Sequence, residues 1–187
     1  MNNQRNLNVL RLTNLAMLTS ISLVLLMLIH FPIFPATKFL EYDMADVPIL
    51  LGTLAFGPAY GLILLIISSF FQWILISPEG MWVGFVMHVA ASGMLVLSVG
   101  FARKILKNKA SVIIGMVIGC ILMTSLMIVL NLTLTVKFYH VPSQMVKDWM
   151  IPFIIPFNLI KSSVNCMITF FVFIPYEKLI KYYNGKM

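Results

Sequence analysis

Residues 151–174 read IPFIIPFNLIKSSVNCMITFFVFI, an apolar run in which Lys161 is the one charged side chain. A helix rises 1.5 Å per residue, so a run of this length crosses a hydrocarbon core of about 30 Å. Inside it, Pro156-Phe157-Asn158-Leu159-Ile160-Lys161 places an amide and an ammonium three residues apart, on one helix face. A lysine at membrane depth costs roughly 2.5–3.5 kcal/mol on insertion scales, and such residues mark functional sites.

The whole chain has the same character. Of 187 residues, 60% are hydrophobic and 10% charged, against about 25% charged in ordinary globular domains. The expectation is an all-α, multi-pass membrane protein, a single domain over residues 1–187. Six transmembrane helices are predicted at about 12–30, 47–56, 60–76, 81–101, 112–136 and 151–174. The second is short, and spans only if it tilts or if part of the preceding loop lies at membrane depth. Residues 1–11 read as a polar tail. Arg5 and Arg11 ahead of the first run mimic a signal peptide, but no small-residue cleavage site comes after it, so it is read as a retained helix. Cys120 and Cys166 fall inside apolar runs and read as buried small hydrophobes, not as a disulfide or metal pair.

The connections carry the charge. Phe31 to Val47 breaks at Pro32 and Pro35 and mixes Lys38, Glu41, Asp43 and Asp46 with Phe34, Phe39, Leu40 and Tyr42. Two readings fit: a lid over a cavity, or a loop with its aromatics at the membrane interface. Asp46-Val47-Pro48 reads as a helix start with Asp46 as N-cap. Gly57-Pro58-Ala59-Tyr60-Gly61 and Ser77-Pro78-Glu79-Gly80 read as turns, and Lys137 to Trp149 as a polar loop. Nine of the 13 basic residues (Arg5, Arg11, Arg103, Lys104, Lys107, Lys109, Lys178, Lys181 and Lys186) fall on the side of the termini; Lys38, Lys137 and Lys147 fall on the other. Positive charge stays inside, so both termini are predicted to be cytoplasmic. The +7 net charge reflects this sorting and forms no patch for nucleic acid.

Asn131, Asn158 and Lys161 lie at similar depth in the outer half of the last two helices. Two amides and an ammonium suit a planar heterocycle with carbonyl and ring-nitrogen edges. The structural alternative is interhelical bonding by Asn and snorkelling or ion pairing by Lys. Phe70, Phe71, Trp73, Trp82 and Phe85 could stack on a flat ligand or form an interfacial belt. His88, in mid-span, is either a cavity group or a satisfied interior one. Ala16 and Ser20 place two small side chains one turn apart, a face on which another helix can dock.

Enzyme readings find little support. His30, His88 and His140 are scattered, without HExxH or Cys/His spacing, so no metal site is expected. There is no GxxxxGK phosphate loop, so the chain itself is not expected to hydrolyse ATP.

Taken together, Tyr42-Asp43-Met44-Ala45-Asp46-Val47-Pro48, Phe56-Gly57-Pro58-Ala59-Tyr60-Gly61, Leu130-Asn131 and Pro156-Phe157-Asn158-Leu159-Ile160-Lys161 resemble the substrate-binding S components of energy-coupling factor vitamin transporters, most closely their riboflavin-specific branch. The resemblance covers nearly the whole chain. It implies a bacterial cell-membrane protein that captures riboflavin from outside, with riboflavin as transported ligand and no cofactor. It implies that Asn131, Asn158 and Lys161 hydrogen-bond the isoalloxazine ring, and that Phe39, Leu40 and Tyr42 help cover it. Trp73 and His88 complete the expected substrate-binding set. The implied partners are a transmembrane coupling subunit, docking at Ala16 and Ser20, and two cytoplasmic ATPase subunits. Two departures mark one wall of the site. Ser68-Ser69 stand where many riboflavin members have Lys-Asn, and Met87-His88-Val89 where many have Ala-Asn-Phe. They leave open another small vitamin or heterocycle as ligand.

Overall fold

The computed structural model describes residues 2–37, 39–75, 81–106 and 109–185. The expected Ser77–Gly80 turn and Lys38, Lys107 and Lys186 lie outside them. Among the described residues, eight α-helices run in the order α1 (Asn2–Leu28), α2 (Asp46–Phe56), α3 (Pro58–Leu75), α4 (Met81–Leu106), α5 (Lys109–Leu130), α6 (Val136–Phe138), α7 (Ser143–Trp149) and α8 (Ile155–Gly185). Five stretches are long and apolar enough to cross a membrane: Arg11–Leu28, Pro58–Leu75, Trp82–Leu106, Ala110–Phe138 and Ser143–Lys178.

The second predicted span is α2, and it is not like the others. Its 11 residues rise only about 16 Å, half a hydrocarbon core. Nine of them, from Asp46 to Leu54, are buried, because α2 packs against α1, α3, α4 and α8 at once. It is a central post enclosed by the long helices. Leu50, Leu65, Leu95 and Val99 are fully buried around it.

Apolar side chains on the opposite faces, such as Ile113, Val117 and Ile121 of α5, are exposed, as lipid-facing residues are. Helices α4 and α5 approach closely at two glycines of α5. A Cβ on Gly115 would sit 2.9 Å from the Val99 Cα, and one on Gly119 3.1 Å from the Leu95 Cα. Small residues permit backbone contact of this kind. Gly57, with φ of 101°, makes the reversal between α2 and α3, a conformation open to glycine at little cost.

Four sequence expectations are corrected. The fold is not purely helical: β1 (His30–Pro32) and β2 (Glu41–Asp43) form an antiparallel hairpin in the first loop, with His30 opposite Asp43, Phe31 opposite Tyr42 and Pro32 opposite Glu41. Residues 2–11 are not a tail but the start of α1. The N-cap of α2 is Ala45, without a side-chain cap bond, and Asp46 is already helical; its carboxylate turns instead toward Ser92 and His88. Finally, the last helical run begins at Ser143, inside the expected polar loop. Pro152 does not end it, because residues Met150–Ile154 form a π-helical stretch between α7 and α8. A π turn absorbs the missing N–H and the ring that would break an α-helix there. A second π stretch, Asn131–Thr135, joins α5 to α6.

Candidate ligand-binding site

A cavity of about 920 Å³ opens at the hairpin end of the bundle. That volume suits a drug-sized or vitamin-sized molecule. Seven of the predicted site residues line it: Asn131, Asn158 and Lys161 on one side, Trp73 and His88 from α3 and α4 on the other, and Phe39 and Leu40 from the loop between the strands. Tyr42 is not among the lining residues. It is buried, and its hydroxyl donates to Asn165 Oδ1 at 2.9 Å. Ala16 and Ser20 lie elsewhere, on an exposed face of α1, where Ser20 Oγ donates to the Ala16 carbonyl at 3.0 Å.

The amide–ammonium wall is built by helix phase. Asn158, Lys161 and Asn165 stand at i, i+3 and i+7, one stripe of α8. Asn158 is 1% exposed and Lys161 6%. Asn158 Nδ2 donates to the Ile154 carbonyl at 2.8 Å, and Asn131 Nδ2 to the Met127 carbonyl at 2.8 Å. Thr135 Oγ1 donates to Asn131 Oδ1 at 3.1 Å. Each amide thus uses one N–H bond on its own helix and keeps a second donor.

Lys161 does not snorkel. Its Nζ donates to Asp43 Oδ2 at 2.6 Å, deep in the bundle. The other Asp43 oxygen accepts from the Ala45 N–H at 3.1 Å, and the Asp43 carbonyl accepts from Asn165 Nδ2 at 3.1 Å. Strand β2 is therefore tied to α8 through two consecutive residues, Tyr42 and Asp43. Burial alone would raise the Asp43 carboxyl. The charges of Lys161 and then His88, with the hydrogen bonds from Lys161 and Ala45, outweigh it and hold the group below the usual carboxylate range. Tyr42 is pushed up, first by burial and then by the Asp43 charge.

The opposite wall carries a second polar group. His88 Nε2 lies 3.6 Å from Asp46 Oδ1, and Ser92 Oγ donates to Asp46 Oδ2 at 3.4 Å. His88, Ser92 and Ser69 line the cavity. Ser69 Oγ is buried and has no hydrogen-bond partner among the described residues. At the mouth, His30 Nε2 and Glu41 Oε2 pair at 2.9 Å across the hairpin.

The aromatic residues separate by position. Trp73 and Phe85 line the cavity with ring centroids 6.1 Å apart. Phe70, Phe71 and Trp82 are exposed, as interfacial rings are. Among the described residues no group of three His, Cys, Asp or Glu side chains converges on a metal position.

Asp43, Asp46 and Asn165 are the residues that sequence reasoning missed. The Asn165 signal was present, since it falls on the same helical stripe as Asn158 and Lys161. Asp43 was visible only as a charge in the first loop, and its pairing with Lys161 was hidden because the two lie 118 residues apart.

Known proteins resemble this chain in sequence and in fold. Residues 10–173 match the family of the ECF transporter, substrate-specific component. The chain is 31% identical to "Riboflavin transporter FmnP" of Bacillus subtilis (strain 168), over 94% of this chain and 96% of that one. It is 32% identical to "Riboflavin transporter RibU" of Staphylococcus aureus (strain TCH60), over 88% and 90%. Among solved structures it superposes, with a TM-score of 0.74 and 31% identity, on one described as the S component of a bacterial ECF transporter, covering 94% of this chain and 98% of that one. A bundle with a vitamin-sized cavity, matched in sequence along nearly its whole length, thus belongs to the substrate-specific components of ECF transporters.

Proposed function

We propose that this chain binds riboflavin at its hairpin-end cavity and delivers it inward together with an ECF coupling subunit and two cytoplasmic ATPase subunits. The observation that carries the reading is the convergence of Asn131, Asn158 and Lys161 on one wall of a 920 Å³ cavity. The relatives' names supply the ligand. The two amides and the ammonium meet the carbonyl and nitrogen edge of the flat ring. Trp73 packs against its apolar part, His88 faces the ribityl side, and Phe39 and Leu40 cover it. Tyr42 supports the cover through Asn165.

The remaining assignments belong to the same proposal. The chain is one membrane-embedded domain. Both termini are cytoplasmic, in keeping with the excess of Lys and Arg on their side, so the cavity opens outward. Ala16 and Ser20, small and exposed on α1, form the docking face for the coupling subunit.

The test is the absorption spectrum of the protein purified in detergent, and then quenching of added riboflavin fluorescence. Flavin bands that survive washing, or saturable quenching, are the expected result. A colourless protein that fails to quench would overturn the ligand. A second reading, another small heterocyclic vitamin, is favoured by the polar α3–α4 wall of Ser69, His88 and Ser92. Thermal stabilisation by such a vitamin and not by riboflavin would establish it.

A further inference from the structure

Lys161 is the strongest charge on the proposed ring-binding wall, yet it is not a net charge. Its ammonium and the Asp43 carboxylate are 2.6 Å apart, and their side chains are 8% and 2% exposed. Both line the cavity. Asp43 is itself fixed from two further directions, by the Ala45 N–H on its carboxylate and by Asn165 on its backbone carbonyl. An ammonium has three N–H bonds. One goes to Asp43, and no other acceptor engages Nζ among the described residues. The other ionisable groups near it are Tyr42 and Asp46, with His88 beyond.

From this arrangement we infer that Asp43 is a positioning residue for ligand binding: it fixes the Lys161 ammonium against the cavity wall and neutralises it, so that Lys161 meets the ligand as an oriented hydrogen-bond donor and not as a free cation. This rests on riboflavin being the ligand. The physical reason is that an uncompensated buried ammonium would favour whichever ligand form is anionic, whereas a paired one selects by geometry. The hairpin is thereby part of the recognition surface, because the residue that sets the lysine belongs to β2 and not to α8.

The experiment compares riboflavin binding and the alkaline ionisation of the bound flavin ring, monitored by absorbance, in the parent, D43N and D43N/K161M. In D43N affinity falls about tenfold or more, the scale of one charge-assisted hydrogen bond. The ring ionises at lower pH in D43N than in the parent, because the unneutralised ammonium stabilises the ring anion. D43N/K161M, with neither charge, loses that shift. A purely structural role for Asp43 would weaken binding without moving the ionisation. Should D43N not fold, D43E decides: it keeps the charge but moves the ammonium, so affinity falls while the ring ionises as in the parent. Parent-like affinity in D43N or D43E, or an unmoved ring ionisation in D43N, overturns the inference. A parent protein that does not bind riboflavin is a separate failure, of the ligand reading.

Discussion

The Phe39 ring lies 5.4 Å from the Trp149 ring, centroid to centroid, and this contact joins the hairpin loop to α7 across the mouth of the cavity. Both side chains line the cavity, yet Phe39 is 53% exposed. Phe39 is thus open to the outside, while its chain neighbour Leu40 is buried; on the proposed binding mode the pair covers the ligand. Aromatic pairs of this kind contribute about 0.5–1.5 kcal/mol beyond area burial. Phe39→Ala is expected to speed riboflavin dissociation several-fold with little change in association. Stopped-flow fluorescence reads both rates, and an unchanged off-rate would exclude a covering role.

The amide wall should act additively with the ring edge. On the proposed binding mode, Asn158→Ala and Asn131→Ala each remove a ligand hydrogen bond and are expected to weaken riboflavin by about 1–2 kcal/mol, roughly five- to thirty-fold. Neither substitution should unfold the bundle, since each amide's protein bond is to a carbonyl within its own helix. Titration by fluorescence quenching, with thermal unfolding as control, tests the pair. Parent-like affinity in both variants would remove them from the site.

Docking and binding should separate. Ala16 and Ser20 do not line the cavity, and their face of α1 is exposed. Ser20→Trp is expected to leave riboflavin affinity in detergent within twofold while abolishing co-purification with the coupling subunit, because a large side chain blocks close helix approach. Retained co-purification would place the docking face elsewhere.

Acid stability depends on Asp43. Its folded-state carboxyl sits below the ordinary value of 3.8. A depressed carboxyl contributes stability that is fully present above the unfolded value and is lost as pH falls toward the folded one. The parent is thus expected to lose thermal stability more steeply than D43N as the pH falls below the ordinary carboxyl value, since D43N has no carboxyl to protonate there. Parallel Tm–pH curves would contradict this.

The close approach of α4 and α5 gives a stability test. Gly115→Val places side-chain atoms against the Val99 backbone, which cannot yield as a flexible side chain would. Overpacking of this kind costs about 1–3 kcal/mol. A lowered Tm with intact binding in the surviving folded fraction is expected.

Much of this architecture is legible because membrane helices announce themselves by length and apolarity, and because Asn158 and Lys161 are conspicuous inside an apolar run. The hidden features depend on contacts or on local exceptions. The hairpin is only three residues per strand, too short for an alternating pattern. Asp46 has the local chemistry of a cap, but its tertiary neighbours His88 and Ser92 decide its direction. Pro152 is an ordinary helix breaker, and only the π turn around it lets the last helical run begin at Ser143. Tyr42 reads as a ligand contact because nothing in the chain foretells that Asn165 takes its hydroxyl.

The π stretch at Asn131–Thr135 sets the phase of everything beyond it. Such a turn is an α-helix carrying one surplus residue. Deleting one of Leu132, Thr133 or Leu134 would close the wide turn into an ordinary α turn, because the surplus residue is what the i→i+5 bond accommodates. The later residues of the helix would stay near their present bearing, whereas the same deletion in a regular α-helix would turn them by about 100°. What the deletion would change is the spacing between Asn131 and Thr135, whose hydroxyl holds the Asn131 side-chain oxygen.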